Sequence, residues 1–186
     1  MIAFAMCGSY CTHKTALGAL ERLCADGRDI TAVLSENVWT TDTRFGTSAA
    51  LRENLRSITG HEVLHSILET EPFGPDERWK MLIICPCTGN TLAKIASGIT
   101  DTSVTMAAKA MMRRSAPIVI ALSSNDAVGT NLANLAALYQ KKNVYFVPLR
   151  QDDPVKKPFS LSADFSRLSE TVLAAENGEQ PRPLFL

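Results

Sequence analysis

Residues 81–101 read MLIICPCTGNTLAKIASGITD: five apolar residues, a proline, a knot of small polar residues, and then a helical stretch. The run 81–85 is short, apolar and closed by Pro86, so it reads as a buried strand. Helical segments are expected over 90–97 and about 102–114, with a break at Gly98. A strand that turns straight into a helix is half of a βαβ unit, and the same alternation is expected on either side of it.

Towards the N-terminus, IAFAM (2–6) reads as a first strand and DITAVLS (29–35) as a second. Between them Ala16, Leu17, Leu20, Leu23 and Cys24 recur at helical spacing until Gly27. ENVWTTDTRFG (36–46) reads as an irregular loop, 47–58 as a helix ended by Gly60, and EPFGPDE (71–77) as a Pro/Gly loop. Towards the C-terminus, Pro117 opens the strand PIVIALS, a helix is expected over 129–140, and NVYFVPL (143–149) reads as the last strand. RQDDPVKKP (150–158) is a charged surface loop, and Leu161, Phe165, Leu168, Val172 and Leu173 mark a closing helix. The tail ENGEQPRPLFL is expected to extend over the surface or onto a neighbouring subunit. The expected fold is a single α/β domain over 1–186, a three-layer Rossmann-like or flavodoxin-like parallel sheet with helices on both faces.

The composition narrows the class of partner. The 186 residues are 46% hydrophobic and carry 19 basic against 19 acidic side chains, with no basic block, so a nucleic-acid footprint is not expected. No run reaches the roughly 18 apolar residues of a membrane span, and MIAFAMCG lacks the cationic start of a signal peptide. A cytoplasmic protein with a small-molecule or protein partner is the expectation. Cys7, Cys11, Cys24, Cys85 and Cys87 have neither redox nor zinc spacing and read as free thiols.

In an open α/β sheet, ligands settle where strands end and helices begin. Here those positions hold Cys7-Gly8-Ser9, Ser35-Glu36-Asn37, Thr88-Gly89-Asn90-Thr91 and Ser123-Ser124-Asn125-Asp126. Any one loop is explained by helix capping; four together point to a ligand that needs several hydrogen bonds. GSYCTH is not GxGxxG and no Walker A loop is present, so one phosphate with a polar ring, as in FMN, suits the pattern better than a dinucleotide.

PCTGNTLAKIASGITD resembles the flavin-binding stretch of the homo-oligomeric flavin-containing cysteine decarboxylases, Pro-Ala-Ser-Ala-Asn-Thr followed by an apolar helix and Gly-Ile-Ala-Asp. Pro86, Asn90, Thr91, Lys94, Ile95, Ala96, Gly98 and Asp101 carry the match. Further similarity lies in TRFG (43–46), EPFGP (71–75), SSNDAVGTNLANL (123–135) and NVYFVPLRQDDPVKKPFSL (143–161). These are similar to a branch of the family that works with a second, NAD(P)-binding subunit to make pyridine-2,6-dicarboxylate for the endospore core.

The resemblance implies an FMN flavoprotein, assembled as trimers or a multiple of them, that helps dehydrogenate a dihydro-heterocycle. It implies Gly8, Ser9 and Ser35 at the flavin phosphate, Thr88, Asn90 and Thr91 along the ring, and Asn125 near the flavin. The decarboxylases follow their fourth strand with Pro-x-Met-Asn-x-x-Met-Trp, whereas this chain keeps only the asparagine, which weighs against cysteine decarboxylation. A decarboxylase and a non-catalytic scaffold subunit are the alternatives.

His61-Glu62-Val63-Leu64-His65 is a literal H-E-x-x-H, the zinc-hydrolase pattern that needs both imidazoles on one helix face. It follows Gly60 directly and lacks a downstream ligand, so no metal is expected. His65 also resembles the decarboxylases' active-site histidine and is the candidate for proton transfer. A dicarboxylate substrate needs cations. Arg44, alone in a long irregular loop, is the favoured one over Lys109, Arg113, Lys156 and Lys157.

Overall fold

The structure, a computed structural model, describes residues 1–186. In chain order its elements are β1 (Ile2–Met6), α1 (His13–Ala25), β2 (Ile30–Leu34), α2 (Glu36–Thr40), α3 (Ser48–Thr59) and α4 (Ile67–Thr70). Then come β3 (Met81–Cys87), α5 (Gly89–Ala96), α6 (Ser103–Arg113), β4 (Ile118–Ser124), α7 (Leu132–Tyr139), β5 (Val144–Phe146), β6 (Leu149–Arg150), β7 (Leu161–Ala163) and α8 (Leu168–Glu176). Strands β1 to β5 are parallel and lie side by side in the order 2-1-3-4-5. Every residue of β1, β2 and β3 is buried, as expected of parallel strands covered on both faces. Helices α1 and α8 pack together on one side, while α4, α5, α6 and α7 form a connected group of their own.

The register places the strand ends level. Met6 pairs with Leu34 and Ala5 with Ile84, so β1, β2 and β3 end at one edge of the sheet. Beyond Ile84 the β3–β4 register shifts, and Cys87 pairs with Leu122. The peptide before Pro86 is cis, and the Pro86 carbonyl accepts from the Cys7 N–H at 3.1 Å.

Four expectations need correction. The stretch 36–46 is not wholly irregular, since it opens with α2, whose five residues are too few for a periodic signal. The helix expected from 129 starts at Leu132, because Asp126–Thr130 forms turns held by the Asp126 carbonyl, which accepts from the N–H groups of Gly129 and Asn131. The run 143–149 divides into β5 and β6. Leu161 belongs to β7, not to the closing helix: β7 pairs antiparallel with both β4 and β6, so the sheet is mixed at this edge. Strand β4 thus changes partner along one side, from β5 at Ile118–Ile120 to β7 at Ser123–Ser124.

The tail returns to its own sheet. Leu149 donates its N–H to the Leu184 carbonyl and accepts from the Leu186 N–H, adding a short parallel bridge beside β6. Gln180 turns its amide onto β5: Oε1 accepts from the Phe146 N–H and Nε2 donates to the Phe146 carbonyl, both at 2.8 Å. The side chain thereby satisfies the outer edge of β5 as a neighbouring strand would. Gln180→Ala is expected to lower stability by about 1–3 kcal/mol, read from the urea midpoint at unchanged slope, because both Phe146 groups lose their partner.

Candidate functional site

The strand order reverses between β1 and β3, so the connections leaving these neighbours run to opposite sides of the sheet and leave a crevice between them. A cavity of about 360 Å³ occupies that crevice, and Gly8, Ser35, Thr88, Asn90 and Thr91 line it, together with Cys7, Glu36, Asn37, Lys94, Asp101 and Thr102. Only one of its eleven lining residues is hydrophobic.

Its hydrogen-bond donors are largely unspent. The backbone N–H groups of Gly8, Gly89 and Asn90 have no acceptor in the protein, while that of Thr91 is taken by the Thr88 hydroxyl at 3.1 Å, which caps α5. The Ser35 hydroxyl makes no capping bond, and the Asn90 side chain is exposed with no protein partner. A positive helix end, free N–H groups and a spare hydroxyl are what an anionic oxygen needs.

Two glycines let the loops come this close. A Cβ on Gly8 would lie 3.2 Å from the Thr88 methyl. On Gly89 it would fall 2.5 Å from both Ser124 Oγ and Asn131 Nδ2. Those atoms belong to a network in which the Asp126 carboxylate accepts from Ser124 Oγ at 2.5 Å and from Asn131 Nδ2 at 2.9 Å. The hydrogen bond from Ser124 holds the Asp126 carboxyl below its ordinary range. Loops after β3 and β4 are therefore packed backbone against side chain.

The charged residues of the cavity are mostly engaged. Glu36 Oε1 accepts from the Ser103 N–H at 2.9 Å, holding the start of α6, while its Oε2 is buried without a partner. Lys94 donates to both carboxylate oxygens of Asp101, at 3.0 and 2.8 Å. Burial pushes the Cys7 thiol up to about 11 and raises those of Cys85 and Cys87 well above their ordinary value, so all three are neutral thiols rather than nucleophiles. All five cysteines are free.

The other candidates lie outside this lining. Ser9 takes a left-handed backbone, φ 58°, and its hydroxyl donates to the Ser123 carbonyl at 2.7 Å, tying the loop after β1 to the end of β4. Asn125 is exposed in the turn after β4. Arg44 sits at the tip of the turn closed by Thr43 and Gly46, over the Phe45 ring. His65 stacks on Trp39 of α2, ring centroids 3.7 Å apart. Its Nδ1 is 3.4 Å from Glu69 Oε2, too poorly aligned for a hydrogen bond, and is otherwise buried without a partner. The H-E-x-x-H stretch is extended, since Leu64 pairs with Val33 beside β2; its imidazoles meet separate partners, His61 bonding to Asp29 at 2.8 Å. Off a helix the two imidazoles do not share the one face that this zinc pattern needs.

Sequence reasoning passed over Glu36, Lys94 and His13 as site residues. The buried His13 ring faces the carbonyls of Cys7 and Gly8 through Nε2, at 2.9 and 3.2 Å. Carbonyls only accept, so Nε2 carries a proton and the ring braces the loop after β1.

The close approach at Gly89 and the buried imidazole can each be tested by substitution. Gly89→Ala should cost about 1–3 kcal/mol of stability, measured by chemical unfolding, with partial recovery in the double variant carrying Ser124→Ala. Burial lowers the His13 pKa from its ordinary 6.5. The unfolded chain then binds the proton more readily, so His13 favours the fold above 6.5 and that contribution is lost as the pH falls through the lower folded value. His13→Gln, which keeps a donor to the carbonyls, should flatten this part of a pH–stability profile.

Comparison with known proteins places these features in a family. The Flavoprotein family model matches residues 1–165. The B subunit of dipicolinate synthase from Bacillus subtilis (strain 168) is 39% identical over 185 residues, spanning 100% of this chain and 92% of the relative. The crystal structure of the B subunit of dipicolinate synthase from Bacillus halodurans superposes with a TM-score of 0.91 at 39% identity, covering 100% of this chain and 95% of that one. The FMN-dependent cysteine decarboxylase SpaF shares the fold, with a TM-score of 0.64 at 22% identity over 94% of this chain and 96% of its own. With its 2-1-3-4-5 sheet and polar crevice, this chain belongs to the Flavoprotein family.

Proposed function

We propose that the chain binds FMN in the crevice between β1 and β3 and serves as the B subunit of a dipicolinate synthase. The observation that carries this reading is the crevice itself, a polar cavity at the strand-order reversal with free N–H groups and hydroxyls at one end. The donor set fits the cofactor. Backbone N–H groups of Gly8 and Ser9 with the Ser35 hydroxyl would hold the phosphate, and Thr88, Asn90 and Thr91 would line the ring. Glu36 Oε2, buried and without a donor, suits a hydroxyl of the ribityl chain. Near-full-length similarity to two dipicolinate synthase B subunits supports the reaction class.

Bound FMN would supply a two-electron acceptor for dehydrogenating a dihydropyridine dicarboxylate to pyridine-2,6-dicarboxylate. The protein's part is to bind, orient and accept a proton. Arg44 is the cation for a substrate carboxylate. His65, whose ring stacks on Trp39 of α2, is the proposed base for the ring proton. The crevice's own thiol, Cys7, is held neutral by burial. The proposed partner is the NAD(P)-binding A subunit, in the cytoplasm of a sporulating mother cell, with the chain itself a homo-oligomer.

The test is a titration of the purified chain with FMN, followed by flavin absorbance and fluorescence, with and without the A subunit. Saturable binding is expected, and Ser35→Ala with Asn90→Ala should weaken it at least about tenfold while the thermal midpoint of the flavin-free protein holds. With the A subunit and dihydrodipicolinate-level substrate, aromatisation should be seen in the ultraviolet. Carbon dioxide release from a cysteine-derived substrate would favour a decarboxylase. Failure to bind flavin in either state, with full activity in the A subunit alone, would leave a scaffold role.

A further inference from the structure

A second cavity, about 440 Å³, lies between α1, α2, the 43–46 turn and the start of α3. It shares no lining residue with the crevice, yet two of its walls hold the crevice in place. Tyr10 donates its hydroxyl to the carbonyl of Asn37, a crevice residue, at 3.2 Å. His13, on the same wall 5.0 Å from the Tyr10 ring, braces the Cys7 and Gly8 carbonyls through Nε2.

The charge of the cavity is one-sided. No Asp or Glu lines it, and Lys14 does. Arg44 stands 4.9 Å over the ring of Phe45, which is itself a wall. Neither cation has a carboxylate within ion-pair distance. Aromatic and aliphatic surface from Tyr10, Phe45, Leu17, Val38 and Leu51 lines the cavity beside Lys14. Such a setting suits a flat apolar ring that carries anionic groups on its edge.

We infer that this cavity is a binding site for a small planar carboxylate, and that its occupant is coupled through Tyr10 and His13 to the loop after β1. The site stands whether or not the crevice takes FMN; the proposed reaction guides only the choice of probe. Coupling between two bound ligands is reciprocal, so an occupant of this cavity and an occupant of the crevice change each other's affinity by the same factor.

Isothermal titration of the full chain with pyridine-2,6-dicarboxylate, in metal-free buffer and with acetate as a ringless control, tests it. The ring probe should bind saturably and acetate should not. Lys14→Met should weaken the probe about tenfold or more, and Ala50→Trp, filling the cavity from an exposed position on α3, should abolish binding. Neither variant should change the thermal midpoint or the binding of FMN to the probe-free protein, which separates this site from the crevice. No binding, binding indifferent to both substitutions, or binding lost instead with Ser35→Ala and Asn90→Ala would overturn the inference.

Discussion

The structure depends on one topological constraint, the reversal of strand order at β1. Parallel strands need crossovers, and neighbours whose crossovers leave on opposite sides cannot have their loops close over each other. The crevice is thus a consequence of the 2-1-3-4-5 order before any side chain is considered. The side chains then fix its walls by bonds between elements far apart in sequence. Ser9 reaches the Ser123 carbonyl, Glu36 reaches the Ser103 N–H, and the Ser103 hydroxyl reaches the Leu34 carbonyl at 2.7 Å. Each satisfies a polar group near the sheet edge that would otherwise be stranded.

The same polar groups define what chemistry the crevice can support. Its lysine is paired with an aspartate, its glutamate holds a helix start, and its cysteine is a neutral thiol. The unspent groups are amides, hydroxyls and one glutamate oxygen. The amides and hydroxyls bind and orient; they do not exchange protons readily near neutral pH. To whatever occupies the crevice, the protein contributes shape and hydrogen bonds.

Much of this was legible in the residues because the central strands are locally encoded. IAFAM and MLIIC are unbroken apolar runs, and the Ser/Thr/Asn/Gly loops that follow them sit where a parallel sheet presents its ligand. The segments that resisted are those defined by distant partners. LSA (161–163) is a strand because Ser123 and Ser124 lie on one side of it and Leu149 and Arg150 on the other, and its Leu161 falls in register with a helical pattern. His61 and His65 carry a helix motif on extended backbone, because Leu64 is held beside β2 by bonds to Ala32 and Leu34. Glu36 escaped notice for the same reason: its role rests on Ser103, 67 residues away.

The Gln180 clasp has a consequence for how the chain is made. Phe146 and the amide that closes its edge are 34 residues apart, so β5 is synthesised well before its cover. During that interval a three-residue strand of Val, Tyr and Phe has an open side, where any passing extended segment can dock. Its brevity limits what can be gained there. The fold therefore keeps this edge short and seals it with a single side chain, so its period of vulnerability ends when residue 180 arrives.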